Sequence, residues 1–181
     1  IGCGEGFYSR KLQESHSDKT FYAFDISKDS VQIAAKSELN WSVNWFVGDL
    51  ARLPIKDASM DILLDIFSPA NYGEFRRVLS KDGILIKVIP TENHLKEIRQ
   101  RVQDQLTNKD YSNQDIKEHF QEYFSIQSIQ IASLTKPITA EQRQALLAMT
   151  PLLFHVDHTK IDWSQLTEIT IEAEILIGKA L

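Results

Sequence analysis

Ile1-Gly2-Cys3-Gly4-Glu5-Gly6 opens the chain and constrains its fold more than any other stretch. Glycine at alternate positions lets the backbone turn with positive φ and lets a ligand approach the main chain closely. Phe7-Tyr8-Ser9-Arg10-Lys11-Leu12 follows as an opening helix, whose free N–H groups and positive dipole end point at the same spot. Such a loop joins the first strand to the first helix of a nucleotide-binding α/β sheet. A dinucleotide fingerprint, G-x-G-x-x-G, needs its third glycine at position 7. That position is Phe7, which disfavours a dinucleotide dehydrogenase. For the loop alone, a tight turn that binds nothing is the other reading.

A strand should precede the loop, and only Ile1 is there to supply it. In this architecture the first strand is central, and its loss would leave two half-sheets with unpaired edges. The expectation is therefore a chain that forms the C-terminal part of a longer protein. The 181 residues suffice for one core and read as one domain over 1–181, with room for a small subdomain. Cys3 is the only cysteine, which excludes a disulfide framework and fits a reducing cytoplasm. No apolar run approaches the length of a membrane span. The net charge of −5 weighs against a polyanion binder, since nucleic-acid domains carry a basic face.

Hydrophobic runs alternate with helical patterns along the chain, the signature of βαβ units and a mainly parallel sheet. Thr20 to Asp25 reads as a strand ending in a carboxylate about twenty residues past the glycine loop, where a ribose-binding acid is expected. Asp25 could instead be a turn former. Ser27 is placed as the N-cap of the next helix. Asn44 to Leu50 is a strand closing on Asp49, either an acceptor for an adenine amino group, with the Leu50 N–H facing the ring, or a cap for the turn before Leu53-Pro54. Trp41 and Trp45 read as core or strand-face residues. Met60 to Phe67 is a continuous apolar run, as in a strand covered on both faces. It leads into Phe67-Ser68-Pro69-Ala70-Asn71-Tyr72, at the carboxyl end of a strand where chemistry sits in open α/β sheets. Glu74 to Gly83 reads as a short helix and a turn, Ile84 to Ile89 as a strand, and Thr91 to Leu106 as a helix opened by His94. A helix over Asn113 to Tyr123 and a strand over Ser125 to Ala132 follow. Thr139-Ala140-Glu141-Gln142 forms a capping box, and Leu166 to Ile177 alternates as a terminal strand. His155 and His158 lack the further ligands a zinc site needs.

The G-x-G-x-G spacing resembles motif I of class I S-adenosylmethionine-dependent methyltransferases. Across nearly its whole length the chain resembles the large-subunit (23S) ribosomal RNA guanine-N1 methyltransferases, a group that includes macrolide-resistance enzymes. Ile1 to Tyr8, Phe24-Asp25-Ile26-Ser27-Lys28, Leu53-Pro54, Ser59-Met60-Asp61 and Arg77-Val78-Leu79 carry the resemblance, together with Phe67-Ser68-Pro69-Ala70, His94-Leu95 and Met149-Thr150-Pro151. Asp82 stands where many methyltransferases have the first glycine of a pair.

The resemblance implies a Rossmann-like, seven-stranded, mostly parallel sheet with helices on both faces and the last strand antiparallel. It implies S-adenosylmethionine held by Gly2, Cys3, Gly4, Glu5, Gly6, Tyr8, Asp25, Ile26, Asp49 and Leu50. A guanine of ribosomal RNA would meet Phe67, Ser68, Pro69, Met149 and Pro151, with Asp65 or His94 as candidate acceptors of the N1 proton. It also implies an N-terminal zinc-binding module that one cysteine cannot build, a cytoplasmic enzyme with no membrane partner, and leaves a homodimer open. The rival readings are a small-molecule methyltransferase, which shares the cofactor half, and a non-catalytic cofactor-binding module.

Overall fold

In a computed structural model, residues 1–37, 42–106, 111–157 and 159–181 are described; Trp41 and His158 lie outside them. The chain divides into two compact units. The first comprises Ile1–Val88, His119–Ser128 and Leu176–Leu181, and the second Ile89–Glu118 and Ile129–Ile175.

In the first unit the glycine loop runs into α1 (Phe7–Ser15), β1 (Phe21–Asp25), α2 (Lys28–Lys36) and β2 (Val43–Val47). Ser27 caps α2 by accepting from the Ser30 N–H, as its sequence position predicts. β1 and β2 pair in parallel. The chain continues through β3 (Met60–Ile66), α3 (Tyr72–Val78) and β4 (Leu79–Pro90), and β3 pairs in parallel with β4. Phe75, Val78, Leu85, Phe120, Phe124 and Leu176 are fully buried and form the centre of this unit. Tyr72 packs edge-on against Phe75, Phe120 and Phe124 at 5.7–6.0 Å between ring centres, the geometry that aromatic quadrupoles favour.

The second unit holds α4 (Lys96–Val102), most of α5 (Gln114–Gln121), and α6 (Ala140–Met149). Its core is Leu95, Ile98, Val102, Leu153, Leu166 and Ile169. The predicted capping box is present, with the Thr139 hydroxyl accepting from the Gln142 N–H and the Gln142 side chain accepting from the Thr139 N–H. Thr139→Ala removes this cap and is expected to cost about 1 kcal/mol, read as a lower melting temperature with faster amide exchange confined to the first turn of α6.

Two strands complete the order, β5 (Phe124–Pro137) and β6 (Glu168–Ala180). The described residues thus give six strands, in a two-stranded sheet β1-β2 and a four-stranded sheet β3-β4-β6-β5, the two part-sheets that the sequence reading expects. β6 is antiparallel to its neighbours, as expected. Lys179 approaches Asp82 near the start of β4, while Thr91, just past its end, donates to Glu172. Likewise Leu181 donates to Tyr123 and Ile138 donates to Thr167.

Three predicted boundaries move by five residues. β4 begins at Leu79 rather than Ile84, because the expected turn is an irregularity inside the strand, between the pairs Met60–Leu79 and Ile62–Ile84. Gly83 fits there because a Cβ would come within 3.0 Å of the Met60 and Ser80 carbonyl oxygens. The helix predicted from Thr91 starts at Lys96, since Leu95 takes a left-handed conformation (φ 54°) and donates its N–H to the Thr170 carbonyl of β6. β5 runs on to Pro137, five residues past the predicted end. β3 is also less enclosed than its apolar run suggests, with Ile62 exposed and Leu63 and Asp65 buried.

Candidate functional site

The glycine loop is built by its three glycines. Gly2, Gly4 and Gly6 have φ of 59°, 51° and 80°, the left-handed region that costs a side chain energy. Gly6 also has no room for one, since a Cβ would lie 2.3 Å from the Trp45 ring and 3.0 Å from the Ala34 Cβ. Trp45 is thus a strand-face residue of β2, as the sequence suggests, and it forms the wall under the loop. At Gly4 the opposite holds: a Cβ would meet no atom of the described residues within 4 Å, so this face of the turn leaves room for a ligand approaching the main chain.

Hydrogen bonds hold the loop to the strand ends. Cys3 donates its N–H to Phe24 at 2.8 Å, Ile1 donates to the Leu64 carbonyl of β3 at 2.9 Å, and Gly6 donates back to Cys3. Asp25, at the end of β1, accepts from the Gly4 N–H on one carboxylate oxygen at 2.8 Å and from the Ser27 N–H on the other at 2.9 Å. The carboxylate thereby ties the glycine turn to the start of α2. Each oxygen keeps a second lone pair for a further donor, so a ribose and the backbone are compatible partners. Burial pushes the Cys3 thiol up, which disfavours the nucleophilic thiolate.

Glu5, Tyr8 and Ile26 stand exposed around this turn. Tyr8 packs edge-on against Phe7, and the Glu5 carbonyl accepts from Arg10. Asp49 takes the capping geometry, accepting from the Ala51 N–H at 2.8 Å, and its exposed carboxylate keeps further acceptor sites. The Leu50 carbonyl accepts from the Asn71 side chain, which in turn caps α3 by accepting from the Glu74 N–H. Asn71, noted in the sequence only as part of a loop, therefore connects the Asp49–Leu50 turn to the end of β3.

That end carries Phe67-Ser68-Pro69. Phe67 has φ 52° and a half-exposed ring, and its N–H donates to Val88 at 3.0 Å. A bulky residue in the left-handed region is rare and marks a constrained site. Ser68 lies against the glycine loop, where a Cβ on Gly2 would fall 2.0 Å from the Ser68 Oγ. Pro69 is exposed. The structure therefore brings the glycine loop, Asp25 and the Phe67–Pro69 loop together within the first unit.

Asp65 does not face open space. It is fully buried and forms an ion pair with Lys87, its in-register neighbour on β4, at 2.8 Å. Burial pushes the Asp65 carboxyl up, and Lys87 opposes that shift. The Tyr72 phenol is pushed up to about 12 by burial and by the Asp65 charge, so it stays protonated at neutral pH. Lys87 escaped the sequence reading because a single lysine in an apolar strand looks like an edge residue. Its alternation, on the inward face with Leu85 and Ile89, was the available signal.

His94, Met149 and Pro151 belong to the second unit. His94 does not open a helix; it sits in the turn before α4, its Nδ1 3.1 Å from the Glu172 carbonyl oxygen and 3.3 Å from the Glu172 N–H. Burial lowers its pKa, which favours the neutral ring. Met149 and Pro151 are exposed on either side of the buried Thr150. Among the described residues no group of three or more His, Cys, Asp or Glu side chains could hold a metal ion, and no helix is long and apolar enough to cross a membrane.

Near the site, Arg77 grips the Glu74 carboxylate with two N–H groups at 2.8 Å and also donates to Asp57, Leu53 and Ile55. These bonds pull the Glu74 pKa down to about 2 from its usual 4.5. A depressed folded-state pKa adds stability above the usual value that is lost as pH falls toward 2. Glu74→Gln is expected to lower the melting temperature at pH 7 and to converge with wild type in acid. A gap that persists undiminished below pH 3 would contradict the assignment.

Residues 1–83 match the model of a family described as "Methyltransferase domain". The chain is 33% identical over 183 aligned residues to YxjB of Bacillus subtilis, whose name provisionally assigns it 23S rRNA (guanine-N(1)-)-methyltransferase activity. That alignment covers 98% of this chain and 64% of the relative. Identity is also 33% over 99 residues to the 23S rRNA (guanine(748)-N(1))-methyltransferase of Streptomyces fradiae, covering 54% of this chain and 35% of that protein. The chain thus spans about a third to just under two thirds of these relatives' lengths.

Among solved structures, YcgJ of Bacillus subtilis superposes with a TM-score of 0.61 at 19% identity, covering 99% of this chain and 89% of that one. A SAM-dependent methyltransferase of Aquifex aeolicus gives 0.56 at 15% identity over 71% of each chain. At these identities the likeness is one of fold. The chain therefore has the Rossmann-like class I methyltransferase fold, with a mixed parallel and antiparallel sheet, and is related in sequence to the 23S rRNA guanine-N1-methyltransferases.

Proposed function

We propose that the chain is the catalytic domain, over residues 1–181, of an S-adenosylmethionine-dependent enzyme that methylates N1 of a guanine in large-subunit ribosomal RNA. The observation that carries the cofactor reading is the Gly4–Asp25 pair: an open glycine turn held by a carboxylate with lone pairs to spare. The residues present fit the cofactor. Asp25 is the ribose acceptor, Asp49 and the Leu50 N–H meet the adenine, and Gly2 to Gly6, with Tyr8 and Ile26 at the rim, receive the rest. Bound there, the cofactor supplies an electrophilic methyl group on a sulfonium sulfur.

The RNA reading is supported by the relative whose match runs along 98% of the chain. Similarity to a malonyl-[acyl-carrier protein] O-methyltransferase of Hahella chejuensis, 29% over 93 residues, covers 48% of it. In this reading the target guanine leaves its stack and rests on Phe67, Ser68 and Pro69, while Met149 and Pro151, exposed on the second unit, are RNA contacts of that unit in their own right. The N1 proton must depart as the N–C bond forms. Asp65 and His94 are already engaged, with Lys87 and with the Glu172 backbone, so the proton passes to water and the protein's contribution is positioning. A zinc-binding module, a cytoplasmic location and a homodimer remain part of the proposal for the full-length protein.

Incubating the full-length protein with methyl-labelled S-adenosylmethionine and unmodified 23S rRNA tests this. Nucleoside mass spectrometry should find 1-methylguanosine at one site. Label on the rRNA in another nucleoside would overturn the guanine-N1 assignment, and no label on RNA would overturn the substrate class.

A further inference from the structure

We infer that Lys87 is a positioning residue, whose buried ammonium clamps the Phe67-Ser68-Pro69 loop to β4 and sets the surface that receives the acceptor base. The purpose given to the loop rests on the methyltransferase reading above; the clamp itself rests on geometry. Lys87 is 4% exposed and Asp65 0%. A buried lysine is kept only where its charge and N–H groups are met, and a buried ion pair often contributes no more stability than an apolar pair of similar volume. Something other than packing therefore accounts for it.

The ammonium spans two partners. It donates to Asp65 Oδ2 at 2.8 Å and to the Ser68 carbonyl at 2.6 Å. The second bond reaches past the end of β3 to the backbone of the loop. Its neighbour on β4, Val88, accepts from the Phe67 N–H at 3.0 Å. Two consecutive residues of β4 thus hold two consecutive loop residues, the left-handed Phe67 and Ser68 after it. Strained backbone persists only where its surroundings over-determine it, and these two tethers, with the close approach of Gly2 to Ser68, do so.

The result is a loop fixed between the glycine turn and β4, with the Phe67 ring 46% exposed. Asp65 then serves as the buried counter-ion of Lys87. Its second oxygen, Oδ1, is buried without a hydrogen-bond partner among the described residues, a cost accepted for the ion pair.

The test compares wild type, Lys87→Met, Lys87→Arg and the double variant Asp65→Leu/Lys87→Met in the full-length protein. The double variant removes both charges, so it keeps the fold if Lys87→Met alone does not. Hydrogen–deuterium exchange should show the amides of residues 67–72 exchanging about tenfold faster or more in the folded double variant. Exchange in the glycine turn and the affinity for S-adenosylmethionine should stay near wild type. Methyl transfer to 23S rRNA should lose about 100-fold in kcat with little change in KM for RNA, the scale of a misplaced reactant. The loss should be uniform with pH and be partly rescued in Lys87→Arg.

Unchanged exchange in the loop of a folded double variant would overturn the clamp whatever the activity. A loosened loop with undiminished kcat would overturn the positioning role. A loss confined to one limb of the pH profile would make Asp65 the proton acceptor and overturn its counter-ion assignment. If the wild-type protein methylates no RNA while the loop loosens as expected, the clamp stands and the substrate reading alone has failed.

Discussion

Asp25→Ala is expected to weaken S-adenosylmethionine binding by at least ~100-fold, equivalent to about 2.7 kcal/mol, with the protein still folded. The carboxylate accepts two backbone N–H bonds, from Gly4 and from Ser27, and hydrogen bonds to a charged group contribute about 1.5–3 kcal/mol each. Alanine leaves both donors facing a half-buried site and frees the glycine turn from α2. It also removes the acceptor proposed for the ribose hydroxyls. Asp25→Asn separates these parts, because its single carbonyl oxygen can hold one backbone donor while the charge is lost. An intermediate loss is expected for it. Calorimetric titration of the three proteins reads this directly, and equal affinity in all three would remove Asp25 from the site.

Gly6→Val is expected to be the most destabilising change in the loop. A left-handed conformation costs a side chain about 1–2 kcal/mol, and φ at Gly6 is 80°. The added Cβ would also sit 2.3 Å from Trp45 and 3.0 Å from Ala34, and forcing atoms into a filled space costs a further ~1–3 kcal/mol. The sum, about 2–5 kcal/mol, is a large part of the stability of a domain this size. Gly4→Ala is the contrast. It shares the φ penalty but meets no neighbour, so its melting temperature should fall less while its cofactor affinity falls more, since the new methyl group occupies the open face of the turn. If the two variants lose stability and affinity in the same proportion, the two faces of the loop are not distinct as described.

Local chemistry made part of this site legible in the sequence. Alternating glycines require left-handed backbone, Ser27 and Thr139 can only act as caps where helices start, and the carboxylate of Asp25 closes a strand at the expected distance from the loop. Each of these is a contact between residues few positions apart, or a spacing that the βαβ unit itself imposes.

What was missed depends on register and on long-range pairing. Asp65 and Lys87 meet because β3 and β4 align in parallel with those two residues opposite each other, and no pattern within either strand states that alignment. His94 was placed on a helix because the apolar spacing of Leu95, Ile98 and Val102 continues into it. A backbone bond from Leu95 to Thr170, in a strand far along the chain, delays the helix and turns His94 toward Glu172. The start of β4 was hidden for a related reason: Asp82-Gly83 has the composition of a turn, yet Gly83 serves an irregularity inside the strand.

Titration of this chain with S-adenosylmethionine tests the central claim most directly. Saturable binding at micromolar strength, in a folded sample and lost in Asp25→Ala, is the predicted result. Absence of binding in the folded, full-length protein would contradict the account, and would leave the glycine turn and its carboxylate as a structural element of the fold.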